Sequence, residues 1–260
     1  MQKITSKDNS IVKKIIKLNK STKTRNTEGL FVTEGTRLCL EALKSKFTID
    51  YVCFSESFYD RNYDICLMFE KRCRCFVFSD SLFSYICDTQ SPQGVLCVIK
   101  TLDKHQYSDT IKLDGKILTL ENLQDPNNVG TILRTAEAFG IDRVILTSDC
   151  CDIYSPKVVR GSMGAIFRQK FLIIDDLPNL LINYNKYATS YAAVLDSESV
   201  PVTEVNFCQD CMAIIGNEGN GITKQVLDIA TQKIIIPMSG GAESLNAAIA
   251  SSILMWEMVR

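Results

Sequence analysis

Five short apolar runs in the second half of the chain lack the strict alternation of polar and apolar residues expected of a half-exposed strand. Nearly continuous apolar strands are typical of parallel sheets, because helices cover both of their faces. Segments with helical spacing, including 129–139 and 244–260, separate or follow these runs. The runs lie at 116–123, 143–148, 188–196, 212–217 and 233–238. This half is therefore predicted to be an α/β domain with a parallel sheet.

The first half also alternates helical and strand-like segments. Residues 10–20 place Ile11, Ile15 and Leu18 on one helical face, with lysines on the other. Strand-like runs follow at 29–35, 51–55, 75–79 and 94–100. A short polar stretch that ends at Gly115 separates the halves. We predict a smaller N-terminal α/β domain at 1–102, a linker at 103–115 and a second domain at 116–260.

Composition excludes several classes of protein. No apolar run approaches the length that crosses a bilayer, and the N-terminus lacks the apolar segment of a secretory signal, so a cytoplasmic protein is predicted. The odd count of 11 cysteines argues against a disulfide framework. Cys208 and Cys211 could form half of a zinc site, but a tetrahedral site needs four ligands and His105 is the single histidine. We expect reduced cysteines that pack as small hydrophobes, and no metal.

The single histidine also limits catalytic mechanisms. Ser-His-Asp or Cys-His catalysis would have to use His105, which lies in the polar linker and is expected to be an exposed loop residue. The net charge of −1 does not indicate a polyanionic partner, yet residues 1–25 carry eight basic side chains and one acid. The basic residues are Lys3, Lys7, Lys13, Lys14, Lys17, Lys20, Lys23 and Arg25. A nucleic-acid contact and a solvated surface helix explain this segment equally well.

Three polar segments each follow a predicted strand, at the edge of a parallel sheet where ligands bind. The first, 121–140, contains Asn128 as a candidate helix N-cap and Arg134 further along the helix. In the third, 234–250, a glycine-rich loop precedes Ser244, another candidate N-cap, and Asn246 in the first helical turn. Each feature taken alone is explained by ordinary helix capping or surface exposure.

The second segment, 214–222, has glycines at 216, 219 and 221, which permit a close approach of backbone and positive φ angles. Its order differs from the G-x-G-x-x-G of a dinucleotide site. Glu218 would repel a phosphate, so a ligand with cationic or hydroxyl character is favoured. A plain turn before a helix and a nucleotide-binding loop remain the alternatives.

Together, the segments DPNNVGTILRTAEAFG, IIGNEGNGI and IPMSGGAESLNAAIA resemble, in this order and spacing, the three motifs of the SpoU (TrmH-like) branch of the SPOUT RNA methyltransferases. The resemblance covers residues 116–260. In the first half, FVTEGTRLCLEAL and SPQGVLCVI look more loosely like the ends of the substrate-binding domain that precedes many such catalytic domains.

This resemblance implies a sheet whose C-terminal segment forms a deep trefoil knot, which is a rare topology. It also implies a homodimer that binds S-adenosylmethionine (SAM) and methylates a ribose 2′-hydroxyl of RNA. Large-subunit ribosomal RNA is favoured over tRNA, because the N-terminal domain resembles that of members directed to ribosomal RNA. A SPOUT protein that binds RNA without activity is the alternative of a different class.

The resemblance further implies the residues of the site. The family's motifs carry over as catalytic candidates onto Arg134, Asn128, Glu218, Ser244 and Asn246. Candidates for cofactor binding are Gly216, Ile236, Met238, Leu245, Asn246, Leu195 and Gly221. Candidates for RNA binding are Lys13, Lys14, Lys17, Lys20, Arg25 and Arg37. A guanidinium stays protonated, so we expect Arg134 to orient the hydroxyl and stabilise the developing alkoxide rather than act as a base.

Overall fold

A computed structural model describes residues 1–102, 113–207 and 209–260, which form two compact units. The first unit contains residues 1–102 and the segment Tyr154–Phe167, and the second contains the remaining described residues. His105, most of the predicted linker and Cys208 lie outside the described residues. The domain boundaries predicted from the sequence stay a prediction.

The first unit is a mixed five-stranded sheet with helices packed on it. Its elements are β1 (Gln2–Ile4), α1 (Ser10–Lys20), α2 (Thr22–Glu28), β2 (Leu30–Glu34), α3 (Thr36–Lys44), β3 (Ile49–Ser55), α4 (Glu56–Arg61), α5 (Tyr63–Glu70), β4 (Arg74–Phe78), α6 (Asp80–Ile86) and β5 (Val95–Lys100). The strand order is β1-β4-β3-β5-β2, with β5 antiparallel to both of its neighbours. Asn9 caps α1, and Ile15 and Leu18 are buried in the core as the spacing predicts, whereas Val12 is the third buried residue and Ile11 is only partly buried.

The second unit is built on a seven-stranded sheet in which every pairing is parallel. Its chain region contains β6 (Lys116–Leu120), α7 (Pro126–Phe139), β7 (Arg143–Thr147), α8 (Pro156–Gly161, within the segment assigned to the first unit), β8 (Phe171–Ile174), α9 (Leu177–Tyr184), β9 (Thr189–Ala193), β10 (Val200–Pro201), β11 (Cys211–Ile215), α10 (Lys224–Ile229), β12 (Gln232–Ile235) and α11 (Ala247–Val259). All five residues of β11 are buried, as expected of a strand covered on both faces. The predicted parallel α/β sheet is thus confirmed.

Two helix starts differ from the sequence prediction. The α7 helix begins at Pro126, and its N-cap is Asp125, whose carboxylate accepts the Asn127 N–H at 2.8 Å. Proline suits the first turn because it needs no hydrogen-bond acceptor there. Asn128 is therefore inside the helix and free to make another contact. Gly140 ends α7 in the left-handed region, with a φ of 72°.

The final helix starts later than predicted. Its N-cap is Asn246, whose side-chain oxygen accepts the Ala248 and Ile249 N–H groups, so Ser244 is not the cap. Leu245 and Asn246 precede the helix rather than forming its first turn. The small residues Ala247, Ala248 and Ser251 are buried, and α11 packs against α7.

The strand order β10-β12-β9-β11-β6-β7-β8 contains a change of direction between β6 and β11. The chain leaves β6 through α7 to β7 on one side, and it leaves β11 through α10 to β12 on the other. Such a switch point opens a crevice at the carboxyl ends of the strands, where ligands bind in open α/β sheets. The trefoil knot stays a prediction. No helix within the described ranges is long and apolar enough to span a bilayer.

Candidate active site

Three segments lie at the carboxyl edge of the parallel sheet. Residues 121–128, which include the start of α7, follow β6, residues 216–223 follow β11, and residues 236–246 follow β12. Parallel strands end at the same edge, so these segments share one side of the sheet. They are also the segments that the sequence singled out.

A chain of three side chains joins the three segments. The Asn246 amide donates to the Asn128 side-chain oxygen at 2.9 Å, and the Asn128 amide donates to Glu218 Oε1 at 3.0 Å. The two residues at the ends of this chain, Asn246 and Glu218, determine which group donates in each hydrogen bond. Asn246 already uses its oxygen to cap α11, and the carboxylate can only accept. Asn128, only 5 % exposed, therefore has its donor and its acceptor both engaged.

Glu218 also accepts two backbone hydrogen bonds. The N–H groups of Gln124 and Asp125 donate to its two carboxylate oxygens, each at 3.1 Å. Burial raises the pKa of the Glu218 carboxyl, but the bonds from Asn128 and from these N–H groups outweigh it, so the pKa lies below its ordinary value. The carboxylate is thus ionised at neutral pH. Gln124 and Asp125 were not predicted to contribute, although backbone donors just before a helix are a general signal for an anion.

The glycine loop has a structural cause that the sequence did not reveal. A side chain at Gly216 would meet the Gly221 carbonyl carbon at 2.2 Å and the Ile222 nitrogen at 2.3 Å. The loop folds back over Gly216, and the backbones of Asn217 and Gly221 exchange two hydrogen bonds. Gly216 is therefore required by the chain itself, whereas the sequence resemblance attributes it to the approach of a cofactor. Gly221 takes a φ of 68°, which also favours glycine.

Arg134 is exposed, and its guanidinium has no hydrogen bond or ion pair with any described residue. It follows Asn128 by six residues, which turns its side chain about 120° away from Asn128 around the helix axis and moves it about 9 Å along that axis. The structure thus joins Asn128, Glu218 and Asn246 directly, while Arg134 stands apart on the solvent side of α7.

The remaining cofactor candidates lie at the same edge without hydrogen bonds to the three-residue chain. Ile236, Met238 and Leu245 are half-buried, whereas Ser244 is exposed. Leu195, just after β9, is 61 % exposed. A side chain built at Gly240 or Gly241 would meet no atom within 4 Å, so space is open around that part of the loop.

The candidates for RNA binding separate into three groups. Lys17, Lys20 and Arg37 are exposed, and none has an ion pair among the described residues. Lys13 pairs with Asp8 at 3.0 Å, and Lys14 pairs with Glu28 at 2.9 Å. The third group is Arg25 alone.

The prediction for Arg25 is wrong. Its side chain is buried, with 4 % of the residue exposed, and its guanidinium donates to the carbonyl oxygens of Leu18 and Asn19 and to Thr22 Oγ1. These carbonyls belong to the last turn of α1, where a cation satisfies backbone acceptors that lack helical partners. Arg25 therefore holds α1 against α2 and is not available to RNA.

No cluster of three or more His, Cys, Asp or Glu side chains that could hold a metal ion occurs in the part of the chain that the structure describes. Cys211 is buried in β11, and its sequence neighbour in the C-x-x-C motif, Cys208, lies outside the described residues.

Comparisons with known proteins agree with this geometry. The model of the SpoU rRNA Methylase family matches residues 115–256, and that of the MRM3-like substrate binding domain matches residues 9–97. An uncharacterized tRNA/rRNA methyltransferase of Synechocystis is 32% identical over 99% of this chain and 93% of its own length. The 23S rRNA (guanosine(2553)-2′-O)-methyltransferase RlmP of Bacillus subtilis is 28% identical over 99% of both chains.

A solved structure gives the same picture. The AdoMet-bound rRNA methyltransferase from Sinorhizobium meliloti superposes with a TM-score of 0.87 at 26% identity, over 99% of this chain and 97% of its own. The family model covers more than half of the chain, and it includes all three segments of the candidate site. The chain therefore belongs to the SpoU rRNA Methylase family.

Proposed function

We propose that this chain transfers a methyl group from SAM to a ribose 2′-hydroxyl of large-subunit ribosomal RNA. The observation that carries the proposal is the hydrogen-bonded chain Asn246–Asn128–Glu218, which joins the three motif segments at the switch point of the sheet. Relatives along the whole length support the reaction, since the Bacillus subtilis protein is named as a 2′-O-methyltransferase of 23S rRNA.

The residues at this edge fit a cofactor with a cationic centre. SAM supplies an electrophilic methyl group bound to a positively charged sulfur. Glu218 keeps its negative charge at neutral pH, which suits a cation and disfavours a phosphate. Half-buried Ile236, Met238 and Leu245 offer apolar contacts, and the open space around Gly240 and Gly241 leaves room for a ligand.

The chain's own contribution to the reaction is positioning and electrostatics. Methyl transfer is an in-line displacement that requires no metal and no histidine, so the alignment of the hydroxyl governs the rate. Arg134 is exposed and donates to none of the described residues, and we assign it to bind the phosphate beside the target ribose and to stabilise the developing alkoxide. Asn128 holds Glu218 in place, and Asn246 in turn holds Asn128.

The active unit is proposed to be a homodimer. Ile249 and Trp256 are both more than half exposed, and they lie seven residues apart on one face of α11, with Ile253 between them. Such an apolar stripe on the surface fits a self-complementary contact with a second copy. Light scattering on the purified chain should give twice the mass of one chain, and a single-chain mass at micromolar concentration would contradict the dimer.

Lys17 and Lys20 are proposed to contact RNA phosphates. Changing both to Gln should weaken RNA binding at low salt and lower the salt dependence of affinity by about 1.4 in the log–log slope, as expected for two lost phosphate contacts on a single strand. Binding of SAM and turnover at saturating RNA should not change. Filter binding across a salt series measures the effect.

The control for this variant removes the same charge elsewhere. Lys44 and Lys46 are also exposed, near the end of α3. If the Lys44→Gln/Lys46→Gln variant loses as much affinity and slope as the α1 variant, the effect is one of net charge and the assigned surface is wrong.

Titration with SAM followed by incorporation of labelled methyl groups into total RNA tests the reaction. Binding of SAM together with methyl transfer supports the proposal. SAM-independent RNA binding without transfer would favour an inactive RNA-binding protein, and stabilisation by ATP but not by SAM would favour a nucleotide-binding enzyme.

The RNA is assigned by mapping 2′-O-methylated nucleotides in cells with and without the gene. Loss of a site in the large-subunit ribosomal RNA supports the assignment, whereas loss of a tRNA site would transfer it to tRNA. We also propose a cytoplasmic location, because the Bacillus subtilis relative acts on 23S rRNA.

A further inference from the structure

Glu121 is a buried carboxylate that the proposed reaction does not use. It is 6 % exposed and follows the last residue of β6. Its two oxygens accept from one residue, Thr223: the Thr223 N–H donates at 3.0 Å and the Thr223 hydroxyl at 2.6 Å. No ion pair to Glu121 exists within the described ranges. A buried charge without a cation is costly, so these two bonds are essential to its burial.

Thr223 departs from its local role to make this contact. It occupies the N-cap position of α10, where a threonine hydroxyl normally accepts from a helix N–H group. Here the side chain makes no capping bond and donates to Glu121 instead. Thr223 thus gives up the capping bond for a contact with a residue far away in the sequence. We infer that this contact serves more than the stability of α10.

Asn122, which follows Glu121, holds the first part of the loop formed by residues 216–223. The Asn122 carbonyl accepts from the Asn217 amide at 2.8 Å, and the Asn122 N–H donates to Thr147 Oγ1 at 2.9 Å. To make both contacts Asn122 takes a φ of 54°, an uncommon conformation that asparagine tolerates better than most residues. The side-chain oxygen of Asn217 in turn accepts the Gly219 and Asn220 N–H groups.

These contacts hold the chain on both sides of Glu218. Asn217 and Thr223 both donate hydrogen bonds to the dipeptide Glu121–Asn122, and Glu218 lies between residues 217 and 223. The backbone that passes over Gly216 is part of the same loop. Any loosening of residue 217 or 223 therefore changes where the Glu218 carboxylate and the Gly216 backbone sit.

We propose that Glu121, Asn122, Asn217 and Thr223 form a loop anchor, a set of positioning residues that fixes residues 216–223 in the conformation that binds SAM. The anchor acts through Glu218 and Gly216, and it touches neither substrate. The proposal rests on the proposed function.

Thr223→Val tests the anchor, because it removes the hydroxyl and keeps the shape of the side chain. Thr223 does not cap α10, so no capping bond is lost and the variant should fold. We expect the KM and the dissociation constant for SAM to rise about tenfold, since Glu121 loses one of its two donors. The turnover number at saturating SAM and the KM for RNA should stay within about twofold.

Two further variants separate positioning from general damage. Thr223→Ser keeps both donors and should bind SAM like the wild type. Adding Glu121→Gln to Thr223→Val should recover part of the lost affinity, because a neutral amide without its partner is less costly than a buried carboxylate. Isothermal titration with SAM and thermal melting of each full-length variant give the affinity and the stability.

The outcomes distinguish the anchor from the reaction itself. SAM affinity of Thr223→Val within twofold of the wild type, or an equal loss in Thr223→Ser, overturns the anchor and leaves the methyltransferase proposal intact. A wild-type chain that binds no SAM overturns both.

Discussion

Arg134→Ala is expected to remove nearly all methyl transfer while the affinity for SAM stays within about twofold of the wild type. Removing one preorganised donor for developing negative charge costs about 10²- to 10³-fold in turnover. SAM affinity should persist because Arg134 has no hydrogen bond or ion pair with Asn128, Glu218 or Asn246. Single-turnover transfer to RNA and titration with SAM measure the two effects separately.

Lysine should not replace this arginine. The guanidinium presents a planar fork of donors, whereas an ammonium group is a point charge, so Arg134→Lys should lose most of the activity as well. The matched control is Lys224→Ala, which removes another exposed cation from the same unit. If Arg134→Ala retains most of its activity, or if Lys224→Ala is equally inactive, Arg134 has no specific part in the reaction.

Much of the second unit could be predicted from the sequence because its strands are covered on both faces. An uninterrupted apolar run such as β11 has no exposed positions that would obscure its pattern. The prediction missed β8, α9 and β10. In α9, Pro178 stands in the first helical turn, where proline is tolerated, although a proline inside an apolar run suggests a break. Pro201 similarly obscured the two-residue strand β10.

The candidate site was predictable as residue types but not as contacts. Asn128 and Asn246 were selected as polar residues near helix starts, but Asp125 caps α7 in place of Asn128, and Asn246 caps α11 in place of Ser244. The bond between Asn246 and Asn128 spans 118 residues, so no local pattern encodes it. The prediction for Arg25 was wrong for a similar reason, since the acceptors of its guanidinium depend on the path of the chain between α1 and α2.

Gly216 shows a different reason why contacts could not be predicted from the sequence. A glycine after a strand indicates that something comes close to the backbone, but the sequence does not say what. The chain's own residues 221 and 222 fill that space, so the glycine is explained without a ligand. The fold of the loop and the site for a ligand therefore depend on the same residues, which links the stability of this segment to binding.

Asn128→Asp should reduce transfer at neutral pH about a hundredfold, which corresponds to about 2.7 kcal/mol in the transition state. The new carboxylate would face Glu218 Oε1 at the position from which Asn128 now donates at 3.0 Å. Two carboxylates at this distance cannot both stay ionised, so one pKa rises strongly. The lost donor also removes a bond that holds the pKa of Glu218 low.

The sign of the pH effect follows from this pairing. Below the raised pKa, the introduced carboxyl group is protonated and can donate to Glu218 again. The Asn128→Asp variant should therefore recover activity relative to the wild type as the pH falls from about 8 to about 5.5, with transfer measured at each pH. Asn206→Asp adds the same charge at an exposed position of the same unit, where the side chain has no hydrogen bond with any described residue, and should keep the wild-type profile.

A double variant separates the geometry of the hydrogen-bonded chain from the position of its charge. Asn128→Asp/Glu218→Gln places a donor opposite an acceptor again, with the two roles exchanged between the two positions. It should regain part of the activity at neutral pH if the geometry matters more than which residue carries the charge, because the introduced amide nitrogen replaces an oxygen that also accepts the Asp125 N–H. Equal activity and an unchanged pH profile in the single variant Asn128→Asp would mean that this chain of side chains holds the fold without serving the reaction.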